Sequence, residues 1–332
     1  MGVEKRMNPK MIQNAKKIDS YLLTKLKGKP NDLYRASSYL IAHGGKRLRP
    51  YMVMKSCQLL GGDVKQALPA AAAIEMVHNF TLVHDDIMDN DEMRHGVPTV
   101  HTKFGIPMGI LAGDLLFSKA FETISQPQVK MSKDVRLSLV STLATACRDV
   151  CEGQALDISM AASRSIPTEK EYITMIEKKT SSLFVASCAM GAIAAETSEA
   201  NVRRLATFGR NLGVAFQIVD DLIGITGDPK LTKKPVGNDI REGKKSLPIL
   251  LAIRMADAKE KRAILDAFGN SSISKSGLRK AVDTITSLEI EKKIRQRAAH
   301  HSNTAKKSIS QHNRPARNEL LSLLDFVVER NL

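Results

Sequence analysis

Three aspartates with helical spacing lie at the end of one apolar stretch of the chain. Asp85, Asp86 and Asp89 follow an alanine run at 70–73, and the segment between contains no Gly or Pro, which predicts a helix. On that helix Asp85 and Asp89 are four residues apart and share a face, where like charges repel each other. A half-buried acidic face of this kind needs a cation, and oxygen ligands suit Mg²⁺ or Ca²⁺.

A second aspartate pair strengthens the case for a metal site. Taken alone, an acidic helix face is more often solvated surface, but Asp220 and Asp221 also follow an apolar helical run, with Gln217 one turn earlier on the same face. Neither group has enough ligands to enclose a metal ion. Mg²⁺ held by one or two carboxylates completes its shell with water and substrate phosphate. Two such groups on separate helices therefore predict a metal cluster that binds a phosphorylated substrate.

A basic motif follows a pair of glycines near the N-terminus. Gly44 and Gly45 end a predicted helix. Lys46 and Arg49 lie between these glycines and Pro50, which suits the first turn of the next helix. Cations beside a Gly pair and a helix N-terminus form a phosphate-binding corner. Ordinary basic residues near a helix C-terminus would give the same pattern. The aspartate groups favour the substrate-binding interpretation.

The elements that position these residues are predicted to be helices. The chain has 332 residues, 43% of them hydrophobic, with scattered Gly and Pro and little β-branched alternation. This favours a single all-α domain over 1–332, with a helical scaffold at about 251–332. Asn31 and Asp32 can cap the second helix. The helices predicted from periodicity cover 8–26, 31–43, 108–125, 132–161 and 168–195.

The net charge of +15 is compatible with nucleic acid, an anionic membrane or an anionic small substrate. The basic run 292–317 has no aromatic residue interleaved, and no nucleic-acid motif is present, so a solvated helix face is favoured. The apolar stretch 183–195 is too short to span a bilayer, and no signal peptide is evident. The four cysteines form no Cys-x-x-Cys motif and are predicted to be buried free thiols in a reducing cytoplasm.

An ordered set of motifs resembles a known family. The set covers roughly residues 30–250, and its specificity lies in the order, since each motif alone is weak. The motifs are Gly44-Gly-Lys-Arg-Leu-Arg-Pro50, His84-Asp-Asp-Ile-Met-Asp89, Arg94-His-Gly-Val-Pro-Thr-Val-His101, Gly113-Asp-Leu-Leu116, Glu152-Gly-Gln154, Lys179-Thr180, Phe216-Gln-Ile-Val-Asp-Asp221 and Lys234-Pro-Val-Gly237 with Asp239 to Lys244. The sequence resembles the trans-isoprenyl diphosphate synthases, especially the geranylgeranyl diphosphate synthases of the archaeal kind.

The resemblance implies a helical bundle around a central cavity and a set of site residues. Three Mg²⁺ ions would be bound by Asp85, Asp89 and Asp220, and Lys179 and Lys234 complete the catalytic set. The residues implied to bind isopentenyl diphosphate are Lys46, Arg49, His78 and, less firmly, His95. Those implied for the allylic diphosphate are Arg94, Lys179, Thr180, Lys234 and Lys244, with Gln217 beside them. A homodimer is implied as well.

Two positions depart from the family pattern. The residue after Arg94 is usually a second Arg, and here it is His95, which is mostly neutral near pH 7 and cannot make a bidentate fork. In the second aspartate motif Gly224 stands where an Asp is common. Since the family's metal contact there is mainly through the first Asp, Asp220, activity is expected to survive.

The resemblance also makes product length depend on the residues before the first aspartates. Phe80, at the fifth position before Asp85, and Thr81, at the fourth, predict geranylgeranyl diphosphate, because an aromatic at the fifth position alone goes with twenty-carbon products. Phe80 could instead be a core residue, in which case Phe117 would form the floor of the pocket that holds the growing hydrocarbon tail. Farnesyl and geranylfarnesyl diphosphate are the alternative products.

Three other functions remain open on the sequence. A terpene cyclase shares the fold and metal chemistry but would lack the basic motif at Lys46 and Arg49. A non-catalytic subunit of a two-component synthase usually loses aspartates that this chain keeps. A nucleic-acid-binding helical protein is the most distant alternative.

Overall fold

A computed structural model describes residues 9–126, 131–226 and 237–329. Within these ranges the chain is almost wholly helical, which confirms the all-α prediction. The helices are α1 (Pro9–Lys25), α2 (Asn31–Ala42), α3 (Leu48–Leu59), α4 (Val64–Met88), α5 (Val100–Phe104), α6 (Ile106–Ser125), α7 (Lys133–Ala162), α8 (Glu169–Ile176), α9 (Ser182–Ala194), α10 (Glu199–Thr226), α11 (Asn238–Arg241), α12 (Leu247–Met255), α13 (Ala258–Ala267), α14 (Lys275–Ser287), α15 (Ile290–Ser308) and α16 (Pro315–Val328).

The helix boundaries predicted from periodicity agree with the structure to within two residues for α1, α2, α6 and α7. The predicted cap of α2 is wrong. Asn31 is already the first helical residue, Pro30 holds the cap position, and no side chain caps the helix there. The predicted helix 168–195 is interrupted by one π-helical turn, Glu177–Ser181, between α8 and α9.

A small hairpin lies between α4 and α5. The strands β1 (Met93–Arg94) and β2 (Val97–Pro98) pair antiparallel, a feature that the sequence did not predict. The two turn residues, His95 and Gly96, both have positive φ, at 51° and 82°. Two left-handed residues in succession match the twist of a two-residue hairpin. The hairpin therefore fixes the backbone of Arg94 and His95 directly after the first aspartate cluster.

The chain clusters into two compact units. Unit 1 contains residues up to Cys147, Ala186–Ala206 and His312–Arg317. Its centre is α4, which packs against α3 and α6, and the alanine run 70–73 on α4 is fully buried. Small side chains at these positions let neighbouring helices approach closely.

Unit 2 contains Arg148–Val185, Thr207–Gln311 and the residues from Asn318 onward. Its core surrounds α12, whose residues Leu247 to Ile253 are all buried, and includes Ile285, Ile290 and Ile294 of the C-terminal helices. The structure thus places those helices in a packed core. The single-domain organisation stays a prediction.

Three of the four cysteines match their predicted burial. Cys57, Cys147 and Cys188 are buried free thiols, but Cys151 is exposed, contrary to the prediction, because it lies on the outer face of α7. None of the helices in the described ranges combines the length and apolar character required to cross a membrane.

Candidate active site

The first aspartate cluster closes α4 in unit 1. Asp85 is half-buried, Asp86 is fully buried, and Asp89 is exposed and caps the helix with its N–H donated to the Asp85 carbonyl oxygen at 2.8 Å. Adjacent helical residues point about 100° apart, so Asp85 and Asp86 serve different faces. The two aspartates predicted as metal ligands are the two that reach the surface.

The buried Asp86 has a partner that sequence reasoning missed. Arg94 Nε donates to Asp86 Oδ1, and a second nitrogen of Arg94 lies 3.6 Å from Asp91 Oδ2. Burial raises the pKa of Asp86 to about 6, although Arg94 opposes the shift. Asp86 therefore orients the predicted diphosphate-binding Arg94 and ties the hairpin to α4. The sequence contained a signal for this role, since adjacent aspartates on a helix point in different directions and Asp86 must therefore face away from the side that carries Asp85.

In the basic motif of unit 1, Arg47 has a structural role, whereas Lys46 is partly accessible to solvent. Arg47 is buried, with Nε 2.6 Å from Asp19 Oδ1, Nη1 2.8 Å from Glu75 Oε1 and Nη2 2.6 Å from the Ile41 carbonyl oxygen. It holds the corner between α2 and α3 in place. Lys46, one residue earlier, is only half-buried.

Arg49 and His78, both predicted for isopentenyl diphosphate, are in contact. Arg49 Nη1 lies 3.1 Å from His78 Nε2. Because a guanidinium has no acceptor, Arg49 donates and the imidazole carries its proton on Nδ1. Burial lowers the pKa of Arg49 to about 10, and burial together with Arg49 lowers the pKa of His78 well below 6.5. The pair is a charged guanidinium oriented by a neutral ring.

Glu75 is a further residue that the sequence analysis did not identify. It is buried one turn before His78 on α4, and its Oε1 accepts hydrogen bonds from Arg47 and from Asn79 Nδ2 at 3.3 Å. Within the described ranges its Oε2 has no hydrogen-bond partner. Burial raises the pKa of Glu75, while Arg47 and Arg49 oppose the shift. An isolated Glu in an apolar helix stretch was the available signal.

His95 occupies the exposed turn of the hairpin. Partial burial of the ring, together with Arg94 and Arg47, lowers the pKa of His95. A lowered pKa favours the neutral ring at pH 7, so His95 does not supply the permanent charge of an arginine.

Phe80 lies on the surface of α4 that faces α6, and Thr81 is the next residue of the same helix. The Phe80 ring centroid is 5.2 Å from that of Phe117, which in turn is 5.0 Å from Phe121. Thr81 Oγ1 donates to the His78 carbonyl oxygen at 2.8 Å. Phe80 and Phe117, the two candidates for a floor, therefore form one contiguous aromatic row in unit 1.

In unit 2 the predicted pair Lys179 and Thr180 lies on the π-helical turn. Lys179 Nζ is 2.5 Å from Asp157 Oδ2 on α7. A Cβ at Gly153 of α7 would lie 2.1 Å from the Lys179 backbone nitrogen, so only glycine permits this approach. A π turn displaces the following residues from ordinary helical register and is frequent at functional sites.

A continuous hydrogen-bond chain in unit 2 connects Thr180 through Gln217 to Asp221. Thr180 Oγ1 donates to Gln217 Oε1 at 2.9 Å, and Gln217 Nε2 donates to Asp221 Oδ1 at 2.9 Å. Asp221 is buried and also accepts from Tyr172 OH at 2.5 Å and from Lys244 Nζ at 3.2 Å. Tyr172, a buried residue on α8, was not predicted, and no motif marks it.

In each of the two aspartate pairs, the first carboxylate is half-buried and the second is buried. Asp220 is half-buried and Asp221 buried, as Asp85 is half-buried and Asp86 buried. Arg94 binds Asp86, and Tyr172, Gln217 and Lys244 bind Asp221. Asp85 and Asp220 are half-buried and Asp89 is exposed, so these three carboxylates reach the surface. Their all-oxygen donors fit a hard divalent cation.

Among the described residues, neither unit groups enough ligand side chains to enclose a metal ion by itself. In the part of the chain that the structure describes, no three His, Cys, Asp or Glu residues are grouped closely enough to do so. Lys234, one of the predicted catalytic residues, lies outside the described residues.

Comparisons with known proteins find relatives over most of the chain. A family model described as polyprenyl synthetase matches residues 30–285. The chain is 44% identical over 269 residues to a short chain isoprenyl diphosphate synthase of Methanocaldococcus jannaschii, covering 81% of this chain and 80% of that protein. It is 41% identical over 300 residues to a geranylgeranyl diphosphate synthase of Saccharolobus solfataricus, covering 90% of each.

The fold has close structural relatives as well. The crystal structure of a geranylgeranyl pyrophosphate synthetase from Pyrococcus horikoshii superposes with a TM-score of 0.91 at 38% sequence identity, covering 97% of this chain and 98% of that one. The family model spans most of the chain, and the two relatives exceed 40% identity. The resemblance drawn from the ordered motifs is thereby confirmed, and the chain belongs to the polyprenyl synthetase family of trans-isoprenyl diphosphate synthases.

Proposed function

We propose that the chain is a Mg²⁺-dependent prenyltransferase that condenses isopentenyl diphosphate with allylic diphosphates to give all-trans geranylgeranyl diphosphate. The observation that carries the proposal is the arrangement of unit 1. One helix, α4, presents Asp85 and Asp89 at its end, and two turns earlier it presents His78 against the half-buried cation Arg49 of α3. Two diphosphate substrates require carboxylates for a metal-bound diphosphate and a separate cationic group for the second diphosphate.

Isopentenyl diphosphate is assigned to the pocket of Lys46, Arg49, His78 and His95. Arg49 is already desolvated, so its hydrogen bonds to a diphosphate are stronger than they would be in water. The hydrogen bond from its guanidinium to His78 Nε2 orients Arg49 in advance, which reduces the freedom lost on binding.

By the family resemblance the allylic diphosphate is assigned to Arg94, Lys179, Thr180, Gln217 and Lys244, with Lys234 added from the sequence. Asp85, Asp89 and Asp220 would hold the metal ions, for which we propose three Mg²⁺. Bound there, the ions would neutralise charge that develops on the leaving diphosphate. Asp86 holds Arg94 and Asp157 holds Lys179, so each cation would offer a diphosphate a charge in a fixed position. The double bond of isopentenyl diphosphate then attacks the allylic carbon, and loss of a proton completes the product.

Product length is assigned to Phe80 and Thr81, with the Phe117 ring packed against Phe80. An aromatic floor below Asp85 stops the growing tail, and Thr81 leaves room for a twenty-carbon product. Farnesyl and geranylfarnesyl diphosphate are the alternative products.

We also propose a cytoplasmic homodimer. The apolar side chains of Ile106, Ile110 and Leu111 on α6 are exposed in one chain, and burial against a second copy would remove them from water.

Incubation of the purified protein with Mg²⁺, isopentenyl diphosphate and each allylic starter tests the proposal. The expected product after dephosphorylation is geranylgeraniol, identified by mass spectrometry. Cyclic hydrocarbons would indicate a terpene cyclase, and turnover only after addition of a second polypeptide would indicate a subunit of a heteromeric synthase.

A further inference from the structure

Tyr172 of α8 is a buried tyrosine whose hydroxyl contacts a carboxylate on another helix. Its side chain belongs to the hydrophobic core of unit 2, together with Met175 and Ile176. The hydroxyl donates to Asp221 Oδ2 at 2.5 Å. A phenylalanine ring would fill the same space, so the contribution of the hydroxyl is its contact with that carboxylate.

The helix that carries Tyr172 is short, so its position depends on contacts at its ends. α8 has eight residues, and a helix of this length is marginal in isolation. Its N-terminus is closed by a capping box between Thr168 and Glu171. Glu169 in the same turn accepts two hydrogen bonds from Arg297 of α15. These contacts fix the start of α8, and with it the point from which the Tyr172 hydroxyl reaches α10.

The two carboxylate oxygens of Asp221 bind different partners. Oδ2 accepts from Tyr172, whereas Oδ1 accepts from Gln217 Nε2 at 2.9 Å and from Lys244 Nζ at 3.2 Å. The χ2 torsion of an aspartate is broad, so the side chain alone does not fix the plane of its carboxylate. A donor on Oδ2 fixes that plane, and it thereby aims Oδ1 at both Gln217 and Lys244.

The orientation of Asp221 extends further through Gln217. Gln217 Oε1 accepts from Thr180 Oγ1 at 2.9 Å, so the amide is held at both ends and its direction reaches the π-helical turn. Lys244 Nζ also lies 3.4 Å from Asp239 Oδ2, which holds the ammonium from a second side. One phenol hydroxyl is thus connected through Asp221 to three groups of the proposed allylic site, an ammonium, an amide and a threonine hydroxyl.

We propose that Tyr172 is a positioning residue for the allylic diphosphate, an inference that rests on the proposed function. Its hydroxyl orients Asp221, and Asp221 holds Gln217 and Lys244 in the positions from which they would bind the diphosphate. Because its side chain is buried, Tyr172 acts through that carboxylate and does not bind the substrate itself.

The variant Tyr172→Phe removes one oxygen atom and keeps the ring. It should raise the KM for the allylic diphosphate about tenfold, since a hydrogen bond to a charged group is lost. The KM for isopentenyl diphosphate should stay within about twofold. Tyr39→Phe, at a buried tyrosine of α2, is the matched control and should change neither constant by more than about twofold. An equal rise of both constants in Tyr172→Phe would indicate a general structural role and overturn the proposal.

A double-mutant cycle tests whether the hydroxyl acts through Asp221. Asp221→Asn should raise the allylic KM at least as much as Tyr172→Phe, because it removes the charge that orients Gln217 and Lys244. The double variant should be no worse than Asp221→Asn alone, since the hydroxyl then has no carboxylate to orient. Additive losses would overturn the proposal, as would a normal allylic KM in folded Tyr172→Phe.

Binding of an unreactive analogue separates this inference from the proposed function. Farnesyl thiodiphosphate carries sulfur in place of the bridging oxygen, so its binding can be measured without turnover. Titration calorimetry in the presence of Mg²⁺ should give a Kd about tenfold weaker for Tyr172→Phe than for the wild type and Tyr39→Phe. If this difference is found but the wild type forms no product, the proposed function fails and the role of Tyr172 stands. Equal Kd values for the three proteins would overturn it.

Discussion

At the scale of single residues, each aspartate pair assigns one carboxylate to the surface and one to the interior. Asp86 and Asp221 are buried and accept hydrogen bonds from neighbouring side chains, whereas Asp85 and Asp220 are half-buried and reach solvent. Substitution of the two kinds should therefore have different consequences.

Replacement of Asp85, Asp89 or Asp220 by Ala should abolish most turnover and leave the fold intact, because each change removes a proposed metal ligand and little core volume. Loss of one such charge contact is expected to lower kcat by at least about a hundredfold. Steady-state kinetics and circular dichroism measure the two effects. Asp283→Ala, an exposed aspartate on α14, is the matched control. Near-normal turnover by well-folded Asp85→Ala would contradict the assignment.

His95→Arg should lower the KM for isopentenyl diphosphate, because a permanent bidentate cation replaces a neutral ring. The lowered pKa of His95 adds a pH signature. The ring is charged only below its pKa, itself below 6.5, so the wild-type KM should improve as the pH falls through that range. The arginine variant should lack this dependence. Equal pH profiles for the two proteins would exclude His95 from the site.

At the scale of elements, α4 and α6 carry the row of aromatic rings. A helix rises about 1.5 Å per residue, so Phe80 lies roughly 7 Å below Asp85 along α4. The contact between Phe80 and Phe117 shows that the neighbouring helix supports the same surface.

Phe80→Ala should shift products to twenty-five carbons or longer by opening the floor, and Thr81→Phe should shift them toward farnesyl diphosphate. Chromatography of the dephosphorylated products measures both shifts. Phe121→Ala is the matched control, since it removes the outermost ring of the row and leaves Phe80 and Phe117 in place. An unchanged distribution in Phe80→Ala would make Phe80 a core residue.

At the scale of the whole molecule, stability includes an ion pair between α8 and α15. Arg297 Nε and Nη2 hold Glu169 at 2.5 and 2.9 Å, a bidentate arrangement of two half-exposed side chains. The Arg297 hydrogen bonds lower the pKa of Glu169. A carboxyl with a lowered folded-state pKa stabilises the protein above its unfolded pKa, and the contribution disappears as the pH falls.

Glu169→Gln should therefore reduce the free energy of unfolding by up to about 1 kcal/mol at pH 7, since solvent screens the pair, and by little near pH 3. Thermal melts at the two pH values measure the difference. Glu291→Gln, which removes the exposed Glu291–Arg295 pair within α15, should have little effect at either pH. An equal loss at both pH values would show that the carboxylate charge is not responsible.

The sequence predicted most helices because their apolar periodicity is long and uninterrupted. It missed the hairpin, since two-residue strands leave no alternation to detect, and it missed the π turn, since a register shift changes no residue type. The sequence did not predict the roles of Glu75, Asp86 and Tyr172, because these roles depend on partners from other elements of the chain. The positions that resemblance supplied, such as Lys179, could be placed in sequence but not oriented.

The burial pattern of the thiols has a practical consequence. Burial raises the pKa of Cys57 and Cys188 to about 12, and Cys147 is also inside, whereas Cys151 is exposed on α7. Thiolate is the reactive form, so a maleimide dye should attach selectively to Cys151. This position lies two residues before Gly153, where the π turn packs against α7. The unmodified protein therefore already carries a unique fluorophore attachment point, from which substrate-induced changes around Lys179 can be followed by spectroscopy.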